Sequence, residues 1–167
     1  AETRVVSKVQ KSGTETTLMS VYFLDVKLGW AVGAGGTILR TLDGGKRWKP
    51  VSSGAGSLLT GVFFANQAHG WIVGSNGTIL HSQDGGERWA PQSSGTQSAL
   101  YGVYFLTPSS GWVVGAGGTI LHTEDGGKHW IDQTSGSNAV LYAVYFVDRQ
   151  HGRASGALGT VLATDDG

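Results

Sequence analysis

Thr41-Leu42-Asp43-Gly44-Gly45-Lys46-Arg47-Trp48 returns as Ser82-Gln83-Asp84-Gly85-Gly86-Glu87-Arg88-Trp89 and again as Thr123-Glu124-Asp125-Gly126-Gly127-Lys128-His129-Trp130. A further copy opens at Thr164-Asp165-Asp166-Gly167, and successive copies stand 41 residues apart. The residues between the copies keep the same phase. Val21-Tyr22-Phe23 matches Val62-Phe63-Phe64, Val103-Tyr104-Phe105 and Val144-Tyr145-Phe146. Gly29-Trp30 matches Gly70-Trp71, Gly111-Trp112 and Gly152-Arg153. Gly36-Thr37-Ile38-Leu39 returns at Gly77, Gly118 and Gly159. One unit repeated four times covers nearly the whole chain. A period of this length marks an architecture built from stacked supersecondary units.

Each unit reads as four short strands. The first is a continuous apolar run such as Leu100 to Leu106, whose lack of polar alternation predicts a strand covered on both faces. The second is Gly111 to Gly115, the third Gly118 to Thr123, and the fourth starts at Trp130. Gly-rich turns such as Gly33-Ala34-Gly35-Gly36 separate strands two and three. No segment has a helical period. Four antiparallel strands in about 40 residues, repeated, describe the blades of an all-β β-propeller. The repeats run over about 14–54, 55–95, 96–136 and 137–167, the last completed by 4–13.

That completion follows from phase. Ser7-Lys8-Val9-Gln10 aligns with Trp48-Lys49-Pro50-Val51, so the N-terminal segment is a fourth strand without its own blade. The last repeat has three strands. Residues 4–167 number 164, which is four times 41, so an N-terminal strand closing the last blade is expected and leaves no free edge at the seam. Two rings satisfy the phase, a four-bladed monomer or a two-fold homodimer of eight blades. A piece of a longer propeller is the third possibility.

The composition narrows the function. Twelve Lys and Arg balance twelve Asp and Glu, which argues against a nucleic-acid or anionic-membrane partner. There is no Cys, so disulfides, thiolate metal sites and thiol catalysis are excluded. No apolar run approaches the roughly 18 residues of a membrane helix, so no membrane insertion is expected. The chain starts at Ala1, as a mature exported chain would, and an exported, periplasmic or thylakoid-lumenal location is expected.

Ser/Thr-x-Asp-x-Gly-x-x-Trp resembles the Asp-box, or bacterial neuraminidase repeat. Its residues here are Thr41, Asp43, Gly45 and Trp48; Ser82, Asp84, Gly86 and Trp89; Thr123, Asp125, Gly127 and Trp130; and Thr164 with Asp166. A carboxylate at a turn accepts backbone N–H groups, glycines allow positive φ, and the Trp buries a large face between blades. Catalytic carboxylates work as pairs in unlike environments. Equivalent copies spread round a ring share one environment, so a structural role is expected and no catalytic residue, metal or cofactor is assigned. The four Glu residues, Glu2, Glu15, Glu87 and Glu124, are not in phase beside a Tyr as a sialidase would need. Asp25, Asp132 and Asp148 form no evident glycosidase pair.

The wider string resembles the photosystem II stability/assembly factor family. It is carried by Val103, Phe105, Gly111, Trp112, Val114, Gly115, Gly118, Thr119, Ile120, Leu121, Thr123, Asp125, Gly126, Gly127 and Trp130. The resemblance implies lumenal or periplasmic seven-bladed propellers that act without catalysis in reaction-centre assembly, through a surface that includes arginines. Here there are four repeats and six Arg. A non-catalytic scaffold for a protein partner is therefore expected, docking on the loop faces, at Asn76 and Asn138, or near Arg149 and Arg153. The alternative is a lectin-like propeller for a neutral glycan, with Trp30, Trp71 and Trp112 as a stacking set; inter-blade core is the other reading of those residues. A glycoside hydrolase or sialidase comes third. His81 and His122 share a column expected on an exposed strand face, and His69 and His151 fall in loops. The fourth repeat has drifted at Arg153, Ser155 and Leu158 and is expected to be the weakest blade.

Overall fold

The computed structural model describes residues 7–167. Blade 1 contains β1 (Leu18–Phe23), β2 (Gly29–Gly33), β3 (Ile38–Thr41) and β4 (Lys49–Val51). Blade 2 contains β5 (Leu59–Phe64), β6 (Gly70–Gly74), β7 (Ile79–Ser82) and β8 (Ala90–Gln92). Blade 3 contains β9 (Leu100–Phe105), β10 (Gly111–Gly115), β11 (Ile120–Thr123) and β12 (Ile131–Gln133). Blade 4 contains β13 (Leu141–Phe146), β14 (Gly152–Gly156) and β15 (Val161–Thr164). Each sheet is an antiparallel meander in chain order.

Side-chain chemistry fixes the place of each strand. β2, β6 and β10 are buried along their whole length, as their apolar sequences require of a strand sandwiched on both faces. The fourth strands are short, exposed edges, and Pro50 and Pro91 sit on them, where a missing N–H costs no ladder bond. The hydrophobic core lies between blades. Trp30, Val32 and Ile38 of blade 1 pack against Leu59, Val62, Phe64, Ile72 and Leu80 of blade 2. At each seam a Trp of one blade stacks on a Phe of the next. Trp30–Phe64, Trp71–Phe105 and Trp112–Phe146 all have ring centroids 3.5 Å apart. Such stacking adds about 0.5–1.5 kcal/mol per pair beyond the area buried.

The loops form two sets. The strand 2–3 turns are bonded to the strand 4–1 loops through Gly36 N–H to Ser57 O, Gly77 N–H to Ser98 O and Gly118 N–H to Ala139 O. The box turns are bonded to the strand 1–2 loops through Gly44 N–H to Lys27 O, Gly85 N–H to Ala68 O and Gly126 N–H to Ser109 O. Glycine is required at Gly77, where φ is 66° and a Cβ would stand 2.0 Å from Thr96 O. Leu158 adopts the same left-handed conformation at φ 55° and is 99% exposed.

The blades form an open arc. The inner strands pack in the order β1, β5, β9, β13, and β13 does not pack on β1 as consecutive inner strands do. The first strands are therefore not all covered on both faces. β5 is, but Val21 of β1 is 62% exposed where Val62 is 7%, and Phe23 is 40% exposed where Phe64 is 1%. The expected closing strand is also placed differently. Residues 4–6 lie outside the described residues, and residues 7–13 form no strand. They lie beside blade 1, where the Gln10 amide donates to Gly44 O at 3.0 Å. Among the described residues β15 has no fourth strand beside it. Closure of the ring is not shown among the described residues.

Candidate functional site

The repeated box turn is held by its hydroxyl. Ser82 Oγ accepts from Gly86 N–H at 2.8 Å and from Asp84 N–H at 3.3 Å, and donates to Asp84 Oδ1 at 2.9 Å. Thr41 and Thr123 do the same within their turns. All three hydroxyl residues are buried. The carboxylate then reaches forward. Asp84 accepts from Arg88 N–H at 2.9 Å and Arg88 Nε at 2.7 Å, and Asp43 accepts from Arg47 N–H at 2.9 Å and Nε at 3.0 Å. In blade 3 His129 takes the Arg position, with Nδ1 2.6 Å from Asp125 Oδ2. Thr164 and Asp166 make the first half of this pattern.

These bonds favour the ionised acid. The backbone N–H of Arg47, then its side chain, holds Asp43 down at about 2. The Arg88 side chain does so for Asp84, also at about 2. The His129 backbone N–H places Asp125 far below the usual carboxylate range. An acid so held is a poor proton donor at neutral pH. Several other carboxylates are also engaged locally. Asp25 accepts from Lys27 and Leu28 N–H, and Asp148 accepts from Gln150 and His151 N–H. Glu87 bonds to Arg40 of the preceding blade, and Glu124 to Ser110.

The aromatic and histidine columns are interior. Trp30, Trp71 and Trp112 are 0, 0 and 1% exposed, so they present no ring to a sugar; the glycan-stacking set is corrected to inter-blade core. The box residues Trp89 and Trp130 are only half-buried, standing edge-on to Phe64 and Phe105. His81 and His122 do not line an exposed face. They stack on Trp71 and Trp112, each with centroids 4.7 Å apart. Burial, with a smaller contribution from His69, pushes His81 down to about 4. The pattern Gly-Trp against His across one strand pair was a readable signal for this stack, since Trp71 pairs directly with His81.

The surface residues expected to dock a partner divide between the two ends of the blades. Asn76 in a strand 2–3 turn and Asn138 in the loop before β13 are exposed on one end. Arg149, in the β13–β14 loop, lies at the box end, with Nη1 3.8 Å from Glu124. Arg153 lies within β14, donates to Gly152 O and Thr164 O, and stands 3.7 Å from Asp165. Two arginines that share a sequence column, and that were not among the expected docking residues, also stand at the box end. Arg47 and Arg88 are held through Nε by their own aspartates while their side chains are 84 and 89% exposed. The box spacing itself carried that signal, Asp followed by Arg at i+4.

A cavity of about 240 Å³ opens at the seam of blades 3 and 4, lined by Ile120, Gln133, Val144, Phe146, Arg153 and Leu162. It lies where the box Trp stands edge-on to the equivalent Phe in the other blades.

Comparison with known proteins identifies relatives of this architecture. The family model for the photosynthesis system II assembly factor YCF48 matches residues 2–89 and 51–134. The solved structure of YCF48 bound to D1 peptide is similar with a TM-score of 0.71 at 23% identity, covering 92% of this chain and 55% of that one. YCF48 from Cyanidioschyzon merolae gives 0.74 at 21%, covering 90% and 51%. The chain thus spans about half the length of these YCF48 chains. The computationally designed Ika4 protein gives 0.79 at 18%, covering 98% of this chain and 100% of that one. An ancestral GH74 enzyme gives 0.75 at 12%, with 25% of that chain covered. No curated protein matches.

Proposed function

We propose that this chain, which belongs to the photosynthesis system II assembly factor YCF48 family, is a non-catalytic propeller scaffold whose box end docks a protein partner. One observation carries the reading: the boxes of blades 1 and 2 spend their carboxylates on their own turns and each orients an exposed arginine outward. Asp43 and Asp84 hold Arg47 and Arg88 through Nε, so the terminal guanidinium nitrogens face solvent in a fixed pose. Such donors match the carboxylate or carbonyl oxygens of an extended protein segment and lose little freedom on binding. Arg149 extends the same end. The structure of YCF48 bound to D1 peptide supports a peptide segment as the kind of ligand. The GH74 likeness supports the fold alone. The same reading places the chain outside the cytoplasm, in a periplasm or thylakoid lumen, which fractionation of the source cells tests.

Titration of a D1-derived peptide against the chain, followed by calorimetry, tests the docking. Saturable binding weakened about tenfold by the double substitution Arg88→Ala, Arg149→Ala is the expected result. Equal binding by that variant overturns the box-end assignment, and turnover of xyloglucan or aryl glycosides overturns the non-catalytic reading.

A further inference from the structure

Two histidines from different elements of blade 2 bring ring nitrogens together. We propose that His69 and His81 bind a divalent transition metal, zinc or copper(II), with His69 Nδ1 and His81 Nε2 as its protein ligands.

Geometry carries the assignment. His69 Nδ1 stands 3.5 Å from His81 Nε2. Two nitrogens on one tetrahedral zinc, each at about 2.0–2.1 Å from the ion, lie about 3.3–3.4 Å apart. A direct hydrogen bond between the rings would be long, since N–H donors in proteins stand about 2.7–3.2 Å from their acceptors. An ion between the rings fits the separation better than a proton does.

Both side chains are half-buried and held before any ion arrives. His81, on β7, stacks on Trp71 with centroids 4.7 Å apart and 12° between the planes. His69 lies in the β5–β6 loop, where Asn66 Oδ1 accepts from the N–H groups of Ala68 and His69 at 2.9 and 2.8 Å. Fixing both ligands in advance lowers the entropy cost of binding. Burial also keeps His81 neutral at pH 7, the form that offers a lone pair. Each ring then coordinates through one nitrogen and keeps its proton on the other.

The arrangement is particular to blade 2. The columns of His69 and His81 hold Leu28 and Arg40 in blade 1, Ser110 and His122 in blade 3, and His151 and Ala163 in blade 4. His122 meets the Glu124 carboxylate at 3.0 Å, and that carboxylate also accepts from Ser110 and faces Arg149. In blade 2 the Glu124 column holds Gln83, so no carboxylate at that position claims the imidazole. Among the described residues no third His, Asp or Glu joins the pair, which leaves the remaining coordination positions to water. Imidazole ligands select zinc and copper(II) over calcium and magnesium, which take oxygen ligands. The site uses none of the docking arginines, so it stands or falls separately from partner binding.

Calorimetric titration of the tag-free chain with zinc chloride, beside copper(II) quenching of Trp fluorescence, tests this. Circular dichroism confirms the fold of each variant. Saturable binding of zinc is expected, with copper(II) held more tightly and Tm raised by either ion. Copper(II) quenches because Trp71 lies against His81. His69→Ala is expected to weaken zinc binding roughly tenfold or more, and so is His81→Phe, which keeps an aromatic ring on Trp71. His122→Phe leaves binding unchanged. No saturable zinc binding, as a hydrogen bond between the rings alone would give, overturns the proposal. So does full binding by a folded His69→Ala chain, loss of binding in His122→Phe, or calcium bound as tightly as zinc.

Discussion

Removing the hydroxyl of a box turn is expected to cost more than removing its carboxylate. Ser82 is 1% exposed, and its Oγ is the acceptor for Gly86 N–H at 2.8 Å in a buried bond. Ser82→Ala leaves that N–H without a partner and out of reach of water, a loss of about 1–3 kcal/mol. The longer bond from Asp84 N–H, at 3.3 Å, is lost as well. A total near 2 kcal/mol follows. The bonds that Asp84 accepts from Glu87 and Arg88 lie at the surface, where water replaces them. Asp84→Ala should therefore cost only about 1 kcal/mol, as for a lost helix cap. For a chain of this length each kcal/mol lowers Tm by about 2–4 °C. Scanning calorimetry is thus expected to show a fall of about 4–8 °C for Ser82→Ala, about 2–4 °C for Asp84→Ala, and little change for Ser82→Thr. The reasoning fails if Asp84→Ala is the more damaging, or if Ser82→Ala melts with the parent chain.

Trp71→Ala removes a side chain that stacks on Phe105 and His81 and bonds Gly126 O, and is expected to cost roughly 3–5 kcal/mol in urea unfolding. Leu158→Gly relieves a left-handed backbone without losing buried area, so a gain of about 0.5–1 kcal/mol is expected, read as a raised Tm. His81 sets a pH limb: its folded pKa of about 4 lies below the unfolded value of 6.5, so its contribution is complete above pH 6.5 and is lost as pH falls toward 4. Allowing for its partial exposure, that limb amounts to about 1–2 kcal/mol, and it should flatten in His81→Phe when melts are compared across pH. A second limb, from Asp43 and Asp84, lies between pH 4 and 2, because both carboxyls are held down to about 2 in the folded chain.

The repeat made the blade legible because each column has one physical task. The Gly-Trp-x-Val-Gly run was legible as a strand, though its burial was not: β6 and β10 are buried end to end, more completely than the first strands expected to be covered on both faces. The box turn was legible for the same reason, since hydroxyl, carboxylate and glycine satisfy each other within eight residues. What periodicity does not carry is the relation between one blade and a blade four units away. Phe23 and Phe64 occupy one column with the same local sequence, yet one is exposed and one buried, because burial depends on whether another blade stands in front. The box Trp was misjudged on similar grounds. Trp89 and Trp71 read alike as large aromatics, but β8 is an outer edge and β6 a central strand, so only the second is fully enclosed.

The drift of blade 4 has a physical direction. Arg153 and Ser155 replace Trp and Val on β14, and that strand alternates buried and exposed residues where β2, β6 and β10 are uniformly buried. The changes thus make the blade 4 end of the arc tolerant of water. The blade 1 end is not softened to the same degree, since Met19, Val21 and Phe23 remain exposed there.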